Sequence, residues 1–105
     1  MSAIREQTAD ASTAVDLYTV GAGKWATVQV LVNNRGSSTR TITVSVRANG
    51  DAQADAHEVC TDLDVDPGSH ALDQSLTMKA SDVLTVEASS SDVTIQAFGI
   101  ESDIP

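Results

Sequence analysis

Cys60, His57 and His70 are the residues that nucleophilic or metal chemistry would use first. Cys60 is the only cysteine, so it forms no disulfide within the chain, and a reactive thiolate needs a partner such as histidine. His57 stands three residues before Cys60, and in a strand two such side chains point to opposite faces. A zinc site needs four closely spaced ligands. The sequence therefore predicts no Cys–His pair, no zinc site and no enzyme activity.

An acidic run beyond Cys60 resembles the spacing of ligands in a calcium loop. Asp62, Asp64 and Asp66 alternate along the chain, and Asp73 stands at the twelfth position. Such a loop needs glycine for its sharp turn at the position where this chain has Pro67. The same alternation also suits a strand. We predict that the carboxylates form a solvated strand face, with no metal and no cofactor. Calcium binding by Asp62, Asp64 and Asp66 is the weaker alternative.

The segment 21–24, Gly-Ala-Gly-Lys, ends like a phosphate-binding loop. It lacks the longer spacing of that loop and precedes a strand rather than a helix, so we predict a hairpin turn. The strands on either side hold the only tyrosine, Tyr18, and the only tryptophan, Trp25.

The formal net charge of −9 is unevenly distributed. Residues 1–50 hold five basic and three acidic residues, whereas residues 51–105 hold one basic and twelve acidic residues. Nucleic-acid binding needs a concentrated basic face, so we expect none. The excess of carboxylates indicates a charged, soluble surface; it also resembles the composition of proteins adapted to high salt.

The sequence contains no run of ~20 apolar residues that would span a membrane. Its first residues lack the apolar region of a signal peptide. We therefore expect no membrane partner and synthesis in the cytoplasm.

Short alternating strands separated by polar turns are the elements that position all these residues. About seven strands at regular spacing favour an all-β chain, a single antiparallel β-sandwich that is immunoglobulin-like or jelly-roll-like. We assign residues 1–14 to an N-terminal arm, 15–101 to the sandwich and 102–105 to a flexible tail. The predicted core consists of the inward-facing residues of the best patterned strands: Val28, Val30, Val32, Ile42, Val44, Val46, Leu84, Val86 and Ile95.

Three weaker patterns give further expectations. Residues 52–57 read as a loop or one helical turn. In the strand 58–65 we place Val59, Thr61, Leu63 and Val65 on one face. Phe98 and Ile100 fall on the face opposite the preceding apolar residues, which suggests a bulge near Gly99.

Two segments carry a resemblance to a known class of protein. Residues 17–24, Leu-Tyr-Thr-Val-Gly-Ala-Gly-Lys, precede an alternating strand that ends in Asn34-Arg35-Gly36. This order resembles the Leu-Tyr-Thr-Val-Pro-Ala-Gly-Lys … Asn-Arg-Gly pattern of small virion proteins of tailed phages. The later segments 82–90 and 92–101 agree in order. Gly21 departs from the pattern, which usually has proline there, and the acidic residues of 58–66 replace neutral or aromatic ones.

The resemblance implies a non-enzymatic β-sandwich component of a virus particle. A tailed virus of a haloarchaeal host would suit the acidic composition. Within that class we favour an accessory (decoration) protein on the outside of the capsid. Its partners would be the major capsid protein or other virion proteins and copies of itself, with a trimer favoured on the resemblance alone. Tyr18, Trp25 and Phe98 are the candidate subunit-contact residues.

Two alternatives remain open at this point. A tail, baseplate or fibre module would fit the same resemblance. A module that binds carbohydrate or a host surface would need exposed aromatic rings, and the chain offers only Tyr18, Trp25 and Phe98.

Overall fold

The computed structural model describes residues 2–48, 58–72 and 75–103. These residues form nine β-strands: β1 (Ser2–Thr8), β2 (Val15–Thr19), β3 (Lys24–Asn34), β4 (Arg40–Ala48), β5 (Glu58–Val65), β6 (Gly68–Ala71), β7 (Leu76–Met78), β8 (Asp82–Ala88) and β9 (Val93–Asp103). The predicted all-β antiparallel sandwich is confirmed, with more strands than the sequence indicated. In the described ranges no helix is long and apolar enough to cross a membrane.

The strands form two antiparallel sheets. Sheet A has the order β1-β9-β3-β6, and β7 also pairs with β3; sheet B has the order β2-β8-β4-β5. The longest pair joins β3 to β9, in unbroken register from Lys24 opposite Asp103 to Asn34 opposite Val93. The last strand therefore lies against the most strongly patterned one, and sheet A is built around this pair.

The core lies between the two sheets and agrees closely with the prediction. All of the predicted core residues are buried except Val46, which is half-buried and packs on the edge of the core. The register between β4 and β5 shifts at Val44 and Ser45, and both of these residues are buried. Along β8, however, β4 keeps an unbroken register in which Val46 lies opposite buried Leu84, so Val46 still points inward near the end of the strand.

A bulge in β5 changes the faces predicted for that strand. Val44 pairs with Cys60 and Ile42 pairs with Leu63, so β5 has one more residue than β4 between these pairs. Asp62, inside the bulge, has φ +46°, a left-handed conformation that aspartate adopts more readily than most residues. Val59 consequently lies outside the core, 46% exposed, and does not share the face of buried Val65.

The N-terminal segment contributes a strand to sheet A. Residues 2–8 form β1 and pair with β9 from Ser2 opposite Glu101 to Thr8 opposite Ile95. We predicted an arm without a strand, because residues 2–8 show no apolar alternation. The only apolar residue that β1 buries is Ile4. At the other end β9 continues to Asp103, beyond the predicted start of the tail at residue 102.

Three local expectations change as well. The turn at residues 21–24 is not a hairpin, because β2 pairs with β8 in sheet B whereas β3 lies in sheet A. It is a tight turn in which the Lys24 N–H donates to the Gly21 carbonyl at 3.2 Å, and Gly23 has φ +74°. The segment 68–71, for which no strand was predicted, forms β6.

No bulge occurs at Gly99, since β9 keeps its register with β3 on both sides of it. Phe98 and Ile100 therefore point outward from sheet A by ordinary strand alternation. The loop predicted at residues 52–57, and with it His57, lies outside the described residues.

Candidate functional site

The residues with catalytic potential are spread over the described part of the chain. Cys60 forms no disulfide and packs half-buried against the core. His70 is exposed on β6, with its Nε2 2.9 Å from the Asp66 carbonyl oxygen. Among the described residues, no group of three or more histidine, cysteine or acidic side chains is arranged to hold a metal ion.

The three carboxylates of the calcium alternative lie at the exposed end of β5. Asp62, Asp64 and Asp66 are all exposed. Asp66 accepts a hydrogen bond from the Thr39 hydroxyl at 2.9 Å. The backbone N–H of Asp62 donates to the Thr43 hydroxyl at 3.1 Å. The bulge at Asp62 interrupts the alternation on which the resemblance to a calcium loop depended.

The structure brings two of the three candidate contact residues onto one surface. Trp25 on β3 and Phe98 on β9 both point outward from sheet A, 39% and 38% exposed. Ile100, which alternation along β9 places on the same face, is 45% exposed between them. Tyr18 lies elsewhere, half-buried in sheet B, and its hydroxyl donates to the Glu101 carboxylate.

We call the outward-pointing side of sheet A the A face. The register of the paired strands assigns its residues, which are Ala3, Arg5, Gln7, Trp25, Thr27, Gln29, Leu31, Asn33, Ser69, Ala71, Thr77, Thr94, Gln96, Phe98, Ile100 and Ser102. Arg5 is the one charged residue in this set. On a chain with a net charge of −9, the absence of carboxylates from the described residues of this face is a strong compositional bias.

The A face has an apolar half and a polar half. A shallow pocket of about 180 Å³ in the apolar half is lined by Thr27, Gln29, Ser75, Phe98, Gly99 and Ile100. The polar half has a depression of about 330 Å³, lined by Gln7, Leu31, Asn33, Ser69, Thr94 and Gln96. Within it the Gln96 side-chain amide donates from Nε2 to the side-chain oxygen Oε1 of Gln7 at 2.5 Å. The face offers aromatic and aliphatic surface beside uncharged hydrogen-bonding groups.

The outer side of sheet B is charged. Arg47 donates to both oxygens of Asp16 at 2.9 Å, and the Thr85 hydroxyl donates to the same carboxylate. Glu87 and Asp64 are exposed on the same side. The two outer surfaces of the sandwich therefore differ in charge, and the A face is the better candidate for a contact that excludes water.

The first segment that carries the phage resemblance, residues 17–24, stabilises one end of the sandwich. Tyr18 in sheet B is joined to Glu101 in sheet A, and the Gly21 N–H donates to the same carboxylate at 3.3 Å. The hydrogen bond from Tyr18 lowers the pKa of Glu101, while burial and the carboxylate raise the pKa of Tyr18. Lys24 forms an ion pair with Asp103 nearby.

At the other end, Asn34 and Arg35 hold the turn after β3. Asn34 is 2% exposed, and its amide donates to the carbonyls of Ser38 and Val65 at 2.8 and 3.0 Å. Arg35 donates to the carbonyls of Ala9 and Ser91, both at 2.9 Å. These two residues therefore have structural roles.

Arg40 and Asp92 connect the two sheets at the same end. Arg40 donates from Nε and Nη2 to the two carboxylate oxygens of Asp92, at 3.1 and 3.0 Å. This hydrogen-bonded pairing lowers the pKa of Asp92. The ion pairs in the described part of the chain therefore connect strands and turns of the sandwich.

The junction of Tyr18 and Glu101 predicts a pH-dependent contribution to stability. Because the folded-state pKa of Glu101 is lowered, its contribution is present above the unfolded value of about 4.3 and is lost as the pH falls below it. We expect Glu101→Gln to lower the melting temperature at pH 7, with a gap from wild type that closes in acid. Glu87→Gln removes the same charge at an exposed position and is the control. An equal loss for both variants would contradict a specific role for the junction.

The carboxylate excess predicts that salt stabilises the protein. Like charges on a small fold repel, and the Debye length shrinks from about 10 Å at 0.1 M to about 3 Å at 1 M salt. We expect molar NaCl to raise the melting temperature by about 5 °C, which corresponds to ~1 kcal/mol for a domain of this size. CaCl₂ at matched ionic strength should do no more. A large stabilisation by millimolar Ca²⁺ that Asp64→Asn abolishes would instead support the calcium site.

No protein-family model matches this chain, and no curated protein matches it. Among solved structures, it is similar to a chain in the acidic stable capsid structure of Helicobacter pylori bacteriophage KHP30. The similarity has a TM-score of 0.51 at 15% sequence identity and covers 98% of this chain and 93% of the phage chain. At this identity the two chains share a fold.

Proposed function

We propose that this protein is a non-enzymatic structural component of a tailed-virus particle. The observation that carries the proposal is the fold shared, over 98% of this chain, with a chain of a bacteriophage capsid structure. The resemblance of residues 17–24 and 34–36 to small virion proteins of tailed phages supports it from the sequence. The roles of Cys60 and His70 agree with a structural protein, since one packs on the core and the other contacts a backbone carbonyl.

Within the particle, we assign the protein to the outside of the capsid as an accessory (decoration) protein on the major capsid protein. Its extended sheets offer a broad surface for repeated docking, and the A face combines Trp25, Phe98 and Ile100 with uncharged polar groups. Burial of such a surface on a shell, or between copies, adds cohesion because apolar area leaves water. In either contact, the charged side of sheet B stays outside the buried surface.

The test is to raise an antibody to the recombinant protein and to label tailed particles purified from lysed cultures of the source organism. Electron microscopy with gold-labelled antibody should show regular label on the heads of intact particles. Antibody preabsorbed with the protein is the control. Label confined to tails or fibres would favour the tail, baseplate or fibre assignment, and particles without the protein would overturn the virion assignment.

A carbohydrate-binding module is the second candidate, and the exposed rings of Trp25 and Phe98 on one face favour it. Titration with oligosaccharides, monitored through the fluorescence of Trp25, tests it directly. Trp25 is the only tryptophan, so the signal has one source.

A further inference from the structure

We infer that two copies of this chain pair through their A faces, in a two-fold contact. The composition of the face is the first argument. Interface centres are depleted in Asp, Glu and Lys and enriched in aromatic residues and Arg. The A face has Trp25, Phe98 and Ile100 exposed and Arg5 as its charged residue. Three of the five exposed large hydrophobic side chains among the described residues lie on this face, and apolar side chains grouped on one face are typical of contact sites.

Charge determines which face two copies of the chain can use. Each copy has a net charge of −9, so two copies repel unless their carboxylates stay apart. A contact through sheet B would bring together the exposed carboxylates of Asp64 and Glu87 from both copies, beside the paired Arg47 and Asp16. A contact through the A faces places these groups on the far sides of the pair. The A face is therefore the surface on which two copies approach each other at the lowest electrostatic cost.

The area of the face is adequate for a stable pair. β3 and β9 each have eleven residues, and a rise of ~3.3 Å per residue gives a length of about 35 Å. Four strands at ~4.8 Å spacing add a width of about 15–20 Å. The resulting area of roughly 600 Å² in projection approaches the ~800 Å² that each partner buries in a standard interface.

The shape of the face determines the symmetry. Two sheets pack face to face at about 10 Å with their side chains interdigitated. When the same patch is used on both copies, the contact is isologous and closes as a two-fold pair. A threefold ring needs two different patches on each copy. The A face supplies one patch that is complementary to itself, in which the apolar half of one copy lies on that of the other.

Sedimentation velocity from micromolar to millimolar protein tests the pairing. We expect a species of twice the 10.9 kDa monomer mass. The dissociation constant should fall at least tenfold between about 0.1 M and about 1 M NaCl, because salt screens the repulsion between the two copies. A chain that stays monomeric at millimolar concentration in both salts overturns the inference, and a trimer overturns the two-fold symmetry.

Matched variants locate the contact. Phe98→Glu places a carboxylate on the A face, and Val59→Glu places one on the outer side of β5 at a similarly exposed position, 38% against 46%. Gln29→Glu adds a charge to the A face with almost no change of shape. We expect both A-face variants to weaken the pair at least tenfold while retaining wild-type circular dichroism, and Val59→Glu to leave it unchanged. Pairing that survives both A-face variants overturns the inference.

The test of pairing and the test of the virion assignment can fail independently of each other. Labelled particles together with a monomeric protein would uphold the virion assignment and overturn the pairing. A salt-strengthened pair that Phe98→Glu dissociates would support the inference even if particles lack the protein.

Discussion

Val44→Asp and Val86→Asp are each expected to unfold the domain. The two valines are fully buried and lie opposite each other on β4 and β8 in the centre of sheet B. An aspartate there would be an unpaired charge surrounded by apolar side chains, which is among the most destabilising substitutions known. The cost of several kcal/mol is comparable to the total stability of about 5–15 kcal/mol for a domain of this length.

Circular dichroism and thermal melting check this expectation, with Val59→Asp as the matched control. Val59 is the same residue type on the neighbouring strand, but it points outward and is 46% exposed. The control should therefore melt within a few degrees of wild type. Cooperative, wild-type-like melting of both core variants would mean that the inward faces of β4 and β8 are assigned wrongly.

The sequence predicted the central strands correctly because their burial follows strict alternation. Val28, Val30 and Val32 on β3 are all fully buried, as their spacing indicates. The strand β1 was missed because it buries Ile4 alone among its seven residues. Its strand conformation comes from hydrogen bonding to β9, which lies at the other end of the chain. No local pattern encodes such a pairing.

Bulges explain the faces that were predicted wrongly or not at all. One extra residue exchanges the two faces of a strand. This occurs at Asp62 in β5, which moves Val59 outward. In β2 the register with β8 shifts between Asp16 and Tyr18. The Tyr18 side chain is hydrogen-bonded to Glu101 and does not lie on the outer surface of sheet B. A short polar run gives little indication of where an insertion lies, so these changes need the paired strand to be known.

The candidate site was partly visible in the sequence. The alternate residues of β3 and β9 that point outward are free of carboxylates, and they include Trp25 and Phe98. These residues form one face because the register of β3 and β9 places Thr27 opposite Ile100 and Gln29 opposite Phe98. It also depends on β1, which adds Arg5 beside Phe98. The residue types were thus predictable, whereas the surface they form required the topology of sheet A.

Gly99→Ala is expected to be the most destabilising of the small substitutions in sheet A. A Cβ at residue 99 would lie 1.9 Å from the Thr27 carbonyl oxygen and 3.0 Å from the Val28 Cα, both of which belong to the backbone of β3. The obstacle cannot rotate away as a side chain would, so the two central strands must separate locally. We expect a loss of about 2–3 kcal/mol, or a melting temperature lowered by roughly 10–20 °C.

Gly21→Ala is the control for this substitution. There a Cβ would lie 3.3 Å from the Cγ of Lys24, a flexible side chain that can move aside, and we expect a change of melting temperature within a few degrees. Since Gly99 stands between Phe98 and Ile100, separation of β3 from β9 would also distort the shallow pocket of the A face. Gly99→Ala should therefore weaken the pairing of two copies at temperatures where the variant is still folded, whereas Gly21→Ala should not. Equal melting temperatures for the two variants would contradict the close approach of β3 and β9 at this position.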